Sequence, residues 1–70
     1  MSDNRVFKLI ELTGTSPTSI EEAVQGALTK ASESIREMRW FEVVEVRGAV
    51  EQDKVAQWQV TLKVGFAVEE

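Results

Sequence analysis

Apolar and polar residues alternate along this chain with two different periods, and each change of period marks an element. Residues 5–13, RVFKLIELT, are rich in β-branched and aromatic residues without a helical stripe, which predicts a first strand. Of its two alternating sets, Val6, Lys8, Ile10 and Leu12 is slightly the more apolar and is assigned to the core. GTSPTS, residues 14–19, reads as a turn followed by a helix start. Ser16 followed by Pro17 fits an N-cap with proline at the first helical position. Thr18 with Glu21, or Ser19 with Glu22, fits a capping box equally well. The apolar residues Ile20, Ala23, Val24, Ala27, Leu28, Ala31, Ile35 and Met38 then recur at spacings of three and four. That stripe predicts an α-helix about five turns long with a solvated opposite face. On that face Glu33 and Arg36 are spaced to form an ion pair. Gly26 interrupts the helix and is read as a site of close packing, against a propensity cost of about 1 kcal/mol.

After Arg39 the period changes to two. Residues 40–51, WFEVVEVRGAVE, and 55–68, VAQWQVTLKVGFAV, predict two strands around a polar QDK link, which is short enough to demand antiparallel pairing. In the last strand Trp58, Val60, Leu62, Val64, Phe66 and Val68 form the apolar set that must face the helix, and Trp58 is read as core. A three-residue loop, 52–54, sets Glu51 opposite Val55, Arg47 opposite Gln59 and Glu45 opposite Thr61, and turns Val44, Val46 and Val50 to the core. A two-residue loop is expected to keep the same parity. A four-residue loop would bury Glu45 and Arg47, the costlier outcome. The fold class is therefore α+β: a β-α-β-β chain whose three-stranded antiparallel sheet curls around one long helix. Its outer face carries Phe7, Leu9, Phe41, Val43, Ala49, Val55 and Ala67 among charges, an apolar surface that suggests subunit contacts.

Composition narrows the chemistry. Seventy residues make one domain, 1–70, with residues 1–4 expected to be a flexible N-terminus. A chain this short gains from a staple, a metal or oligomerisation. It has no cysteine and no histidine, so disulfides and the usual zinc sites are excluded and oligomerisation is the device left open. A net charge of −4 with eight scattered basic residues argues against nucleic-acid and anionic-membrane partners. MSDNR is polar and no apolar run reaches membrane-spanning length, so a soluble cytoplasmic protein is expected. The four glycines, Gly14, Gly26, Gly48 and Gly65, are isolated and form no phosphate-cradling loop. Nothing signals a nucleophilic triad or a paired-carboxylate acid/base site, and an enzyme is not expected.

What remains is a set of aromatics and amides. Trp40 stands where the helical period gives way to the strand period. Periodicity alone favours a structural plug there over a ligand-stacking surface, and an indole N–H needs a partner if buried. Arg47 and Gln59, neighbours across the hairpin, read equally well as a cross-strand polar pair.

Taken together, ELTGTSPTSIEEAVQGALTKA, RWFEVVEVRG and VAQWQVTLKVGF resemble the dodecins, small flavin-binding proteins, over residues 7–68. The resemblance implies a β-α-β-β unit that assembles into a hollow homododecamer, with flavins held in pairs between tryptophans at two-fold interfaces. It assigns flavin stacking to Trp40 and a hydrogen bond to the polar edge of the flavin ring to Gln59. It makes Arg47 a candidate for flavin contact or for an ion pair lining the site. Many bacterial members carry an arginine shortly after the GF of the last strand, where this chain has Ala67. FMN is the favoured ligand through Arg47, with riboflavin the alternative. The implied role is storage, buffering and quenching of flavin rather than turnover. An assembly protein that has the fold without the ligand is the second reading. The register above sets Trp40 on the face opposite Gln59, which requires a twist at the start of the strand or a pocket drawn from different subunits.

Overall fold

The computed structural model describes residues 5–68, so the expectation for residues 1–4 lies outside the described residues. The elements follow the expected order: β1 (Phe7–Ser16), α1 (Ile20–Ala31), β2 (Met38–Glu51) and β3 (Lys54–Ala67). They form a three-stranded antiparallel sheet in the order β1-β3-β2, so the last strand lies in the middle. The helix packs chiefly on β1 and β3. Ala23 and Ala27 meet Val60, Leu62 and Val64 in the buried core, with Ile10, Leu12, Val24, Leu28 and Met38 packed around it. The even-numbered core assignments hold for Ile10, Leu12, Val60, Leu62 and Val64, whereas Val6, Lys8 and Val68 at the strand ends are exposed and Trp58 is only half-buried and lies outside that cluster.

Of the three possible helix starts, Ser19 is the N-cap, and its side chain accepts from the Glu22 backbone N–H at 3.0 Å. The other candidates brace it. Gly14, Thr15 and Ser16 continue β1 rather than forming a turn, and Ser16 is 3% exposed. Its Oγ accepts from the backbone N–H groups of Thr18 and Ser19 at 3.0 and 3.2 Å. The Ser16 and Thr18 hydroxyls both donate to Glu22 Oε1. These bonds favour the ionised carboxylate and hold the Glu22 pKa below its ordinary value, led by Thr18 and opposed by desolvation.

The helix is 12 residues long and ends at Ala31, not after five turns. Serines explain the early stop. Ser32 Oγ donates to the Thr29 carbonyl at 2.7 Å, and the Ser34 and Ile35 N–H groups both turn back to the Ala31 carbonyl. Ile35 and Met38 keep their apolar role off the helix, Ile35 in the connection and Met38 at the start of β2. With the helix ended, Glu33 pairs with Lys30 at 3.3 Å instead of with Arg36. The packing role expected of Gly26 belongs to Gly14. Among the described residues, a Cβ on Gly26 would meet nothing within 4 Å, whereas one on Gly14 would lie 2.9 Å from the Ala23 carbonyl carbon and 3.0 Å from Ala27 Cβ.

The hairpin turn is Gln52-Asp53, with φ of 53° and 64°, so Glu51 faces Lys54 rather than Val55. Two positive φ values give the turn whose twist suits a two-residue hairpin. This shorter loop changes the parity, and a bulge at Ala56 restores it: Ala49 pairs with Gln57, Arg47 with Gln59 and Glu45 with Thr61, as expected. A second irregularity, with Val44 as the extra residue, shifts the parity again towards the start of β2. Phe41 and Val43 consequently pair with Val64 and Leu62 on the helix-facing side, not on the outer face. Val46 shares that side with Val60, but it is 44% exposed, and Val44 and Val50 are also exposed.

A compact chain of this length would have a radius of gyration of about 11 Å. The observed value is 14.8 Å, with extents of 59 × 21 × 14 Å. The hairpin projects past its own helix, and much of the apolar surface of β2 stays open within one subunit.

Candidate functional site

The Val44 bulge decides where Trp40 points. Trp40 pairs with Gly65, which places it on the outer face with Lys63, Thr61 and Gln59, whereas the unbroken register would have sent it to the other face. Gly65 pairs with Leu9 on its other side, so Leu9, Gly65 and Trp40 form one row across the sheet. The indole lies against the backbone of Gly65. A Cβ built there would fall 2.5 Å from Trp40 Cε2 and Cη2 and closer still to Cζ2. The Phe7 and Trp40 rings meet edge to face, with centroids 5.0 Å apart and planes at 68°. Trp40 nevertheless remains 43% exposed. The ring is thus held by Gly65 and Phe7 while much of its surface stays exposed, which suits a flat aromatic partner.

The second predicted group lies further along the same face. Arg47 Nε donates to Gln59 Oε1 at 2.8 Å, and Gln59 Nε2 donates to Gln57 Oε1 at 3.0 Å. Arg47 Nη1 also lies 3.8 Å from Glu45 Oε1. Because Arg47 occupies the Gln59 carbonyl, the Gln59 amide is oriented, and its nitrogen retains a second donor hydrogen. Arg47 keeps donors of its own and is exposed.

Arg47 and Gln59 are thus brought together, and Trp40 is brought onto their face but not into their reach. Gln59 and Gly65 are six residues apart on β3, which is about 20 Å along a strand. Both groups can touch one small ligand only if they come from different copies of the chain.

Sequence reasoning did not find Phe7 and Gly65 as parts of the platform. Phe7 carried no motif of its own. Gly65 was one of four isolated glycines, and its place in the strand interior was the available signal of a close approach. Ala67 pairs with Phe7 beside the platform. Among the described residues, no three His, Cys, Asp or Glu side chains converge as metal ligands, and no helix is long and apolar enough to cross a membrane.

Comparison with known proteins fits this geometry. The family model for dodecin matches residues 6–69. The dodecin of Thermus thermophilus is 46% identical over 66 residues, covering 94% of this chain and 96% of that protein. The dodecin structure from Streptomyces coelicolor superposes with a TM-score of 0.93 at 46% identity and covers 99% of both chains. The calcium dodecin of Mycobacterium tuberculosis is 36% identical over 61 residues, covering 87% of this chain and 86% of that protein. Its structure superposes with a TM-score of 0.80 and 34% identity, covering 91% of each chain. With this β-α-β-β fold and matches spanning nearly its whole length, the chain belongs to the dodecin family.

Proposed function

We propose that this protein binds flavin, with FMN favoured and riboflavin the alternative, and that it stores and buffers the flavin in the cytoplasm without turning over a substrate. The observation that carries this reading is the Trp40 ring, seated on Gly65, braced by Phe7 and still 43% exposed. An isoalloxazine stacked there gains about 0.5–1.5 kcal/mol beyond area burial, as aromatic pairs do. Indole is electron-rich, and in van der Waals contact it returns an excited flavin to its ground state by fast electron transfer. Bound flavin is therefore dark and photochemically protected.

Gln59 and Arg47 supply polar contacts to the ring edge or the side chain of the flavin from a neighbouring subunit, since their own Trp40 lies about 20 Å away. The homododecamer is the assembly in which we place these contacts. Trp40, Phe41, Val43, Val46 and Val50 are all exposed on β2 and favour burial between subunits.

FMN and riboflavin titrated side by side into the purified protein should each lose nearly all fluorescence at saturation, with tighter binding of FMN. Unchanged fluorescence for both ligands would refute flavin binding. The same exposed surface supports the second reading, an assembly protein without flavin in which Trp40 fills a contact. In that case Trp40→Ala breaks the oligomer in sedimentation whether or not flavin is present. Under the flavin reading the oligomer persists while the ligand is lost.

A further inference from the structure

We propose that Gly65 is the positioning residue that sets the plane of Trp40, and through it the seat of the flavin. This rests on the reading of Trp40 as the flavin platform. Nothing in the backbone demands glycine at position 65. Among the described residues no glycine has a positive φ, and Gly65 pairs regularly with Leu9 on one side and Trp40 on the other. Any residue can adopt such an extended conformation, and glycine in a strand interior gives up stability. The missing side chain has one visible consequence: all three nearest neighbours of a Cβ there are atoms of the Trp40 ring.

Carbon atoms in contact normally stand about 3.5–4.0 Å apart. A Cβ 2.5 Å from Cε2 and Cη2 would force the ring to lift by roughly 1 Å or to tilt. The indole is the far end of a side chain, so it can move without unfolding the sheet. In moving it leaves the edge-to-face contact with Phe7 and the plane that the flavin meets. Stacking requires parallel, offset planes, so the consequence falls on ligand affinity more than on the fold.

The test compares the full-length wild type, Gly65→Ala, Trp40→Ala and the double variant. Far-UV circular dichroism reads the fold. Near-UV circular dichroism of the flavin-free protein reads the indole, with the Trp40 contribution defined by what Trp40→Ala removes. FMN titration reads the affinity. The proposal expects Gly65→Ala to alter the Trp40 near-UV signal without flavin and to weaken FMN binding at least tenfold. It expects no added effect in the Trp40→Ala background, where the ring is absent. An unaltered near-UV signal, FMN affinity within twofold of wild type, or a double variant unable to fold would each overturn it. Should wild type itself bind neither FMN nor riboflavin, the flavin reading falls, while the flavin-free near-UV signal still decides the role of Gly65.

Discussion

Replacing Gly14 by alanine tests how the helix is seated on the sheet. The added methyl would stand 2.9 Å from the Ala23 carbonyl carbon, inside contact distance of its oxygen, and 3.0 Å from Ala27 Cβ. Backbone cannot rotate away as a side-chain tip can, so the helix must retreat by about 1 Å to restore ordinary contact. Ala23 and Ala27, 0% and 6% exposed, would then lose their fit against Val60, Leu62 and Val64. Overpacking costs about 1–3 kcal/mol, and the backbone contact points to the upper end, about 3 kcal/mol. For a domain of this size each kcal/mol moves the thermal midpoint by roughly 4–8 °C, so the expected fall is about 12–24 °C. Thermal melts followed by far-UV circular dichroism measure it, at one chain concentration because assembly makes the midpoint concentration-dependent. A loss below about 1 kcal/mol would refute the claim that the helix rests on Gly14.

Gly26→Ala should have the opposite sign. With open space around its Cβ position, the gain is about 0.5–1 kcal/mol in the same melts, and a loss would put Gly26 in a subunit contact instead. The lowered Glu22 pKa makes part of the stability present above the unfolded-state carboxylate pKa and lost as pH falls through the folded-state value. Glu22→Gln should therefore lower the midpoint at neutral pH and flatten its dependence in the acid range. A pH profile unchanged from wild type would count against the Ser16–Thr18–Glu22 network. Gln59→Ala should weaken FMN roughly two- to tenfold, the worth of about one hydrogen bond, and equal affinity in the titration would remove Gln59 from the site.

The order of elements was legible because alternation permits few registers, whereas Arg47 meets Gln59 as expected only because the bulge at Ala56 offsets a loop one residue shorter than expected. The length of the helix was not legible. Ile35 and Met38 continue its apolar stripe, yet the serines at 32 and 34 sit where the backbone turns back, and the same side chains serve a connection and a strand. The bulge at Val44 was also hidden, since FEVVEV carries no glycine or proline to announce it. That single extra residue governs the candidate site. It turns Trp40 to the outer face and Phe41 and Val43 inward, resolving the conflict that an unbroken strand created. The close-packing role expected of Gly26 falls to Gly14 because close approach depends on what lies opposite, which a helical propensity does not report. The remaining 20 Å between Trp40 and Gln59 is a property of one subunit, and the family match supports closing it between copies.

The central claim is that the exposed surface of Trp40 holds the flavin. Roughly 100 Å² of indole surface is open to a ligand, if the side chain offers about 250 Å² in all. Covering it is worth about 2.5 kcal/mol at 25 cal/mol per Å². The most direct measurement is the FMN dissociation constant of Trp40→Ala beside wild type, with the residual fluorescence of each saturated complex. A loss of at least tenfold in affinity, with fluorescence returning in whatever flavin still binds, is the predicted result. Equal affinity and equal darkness in the two proteins would contradict it.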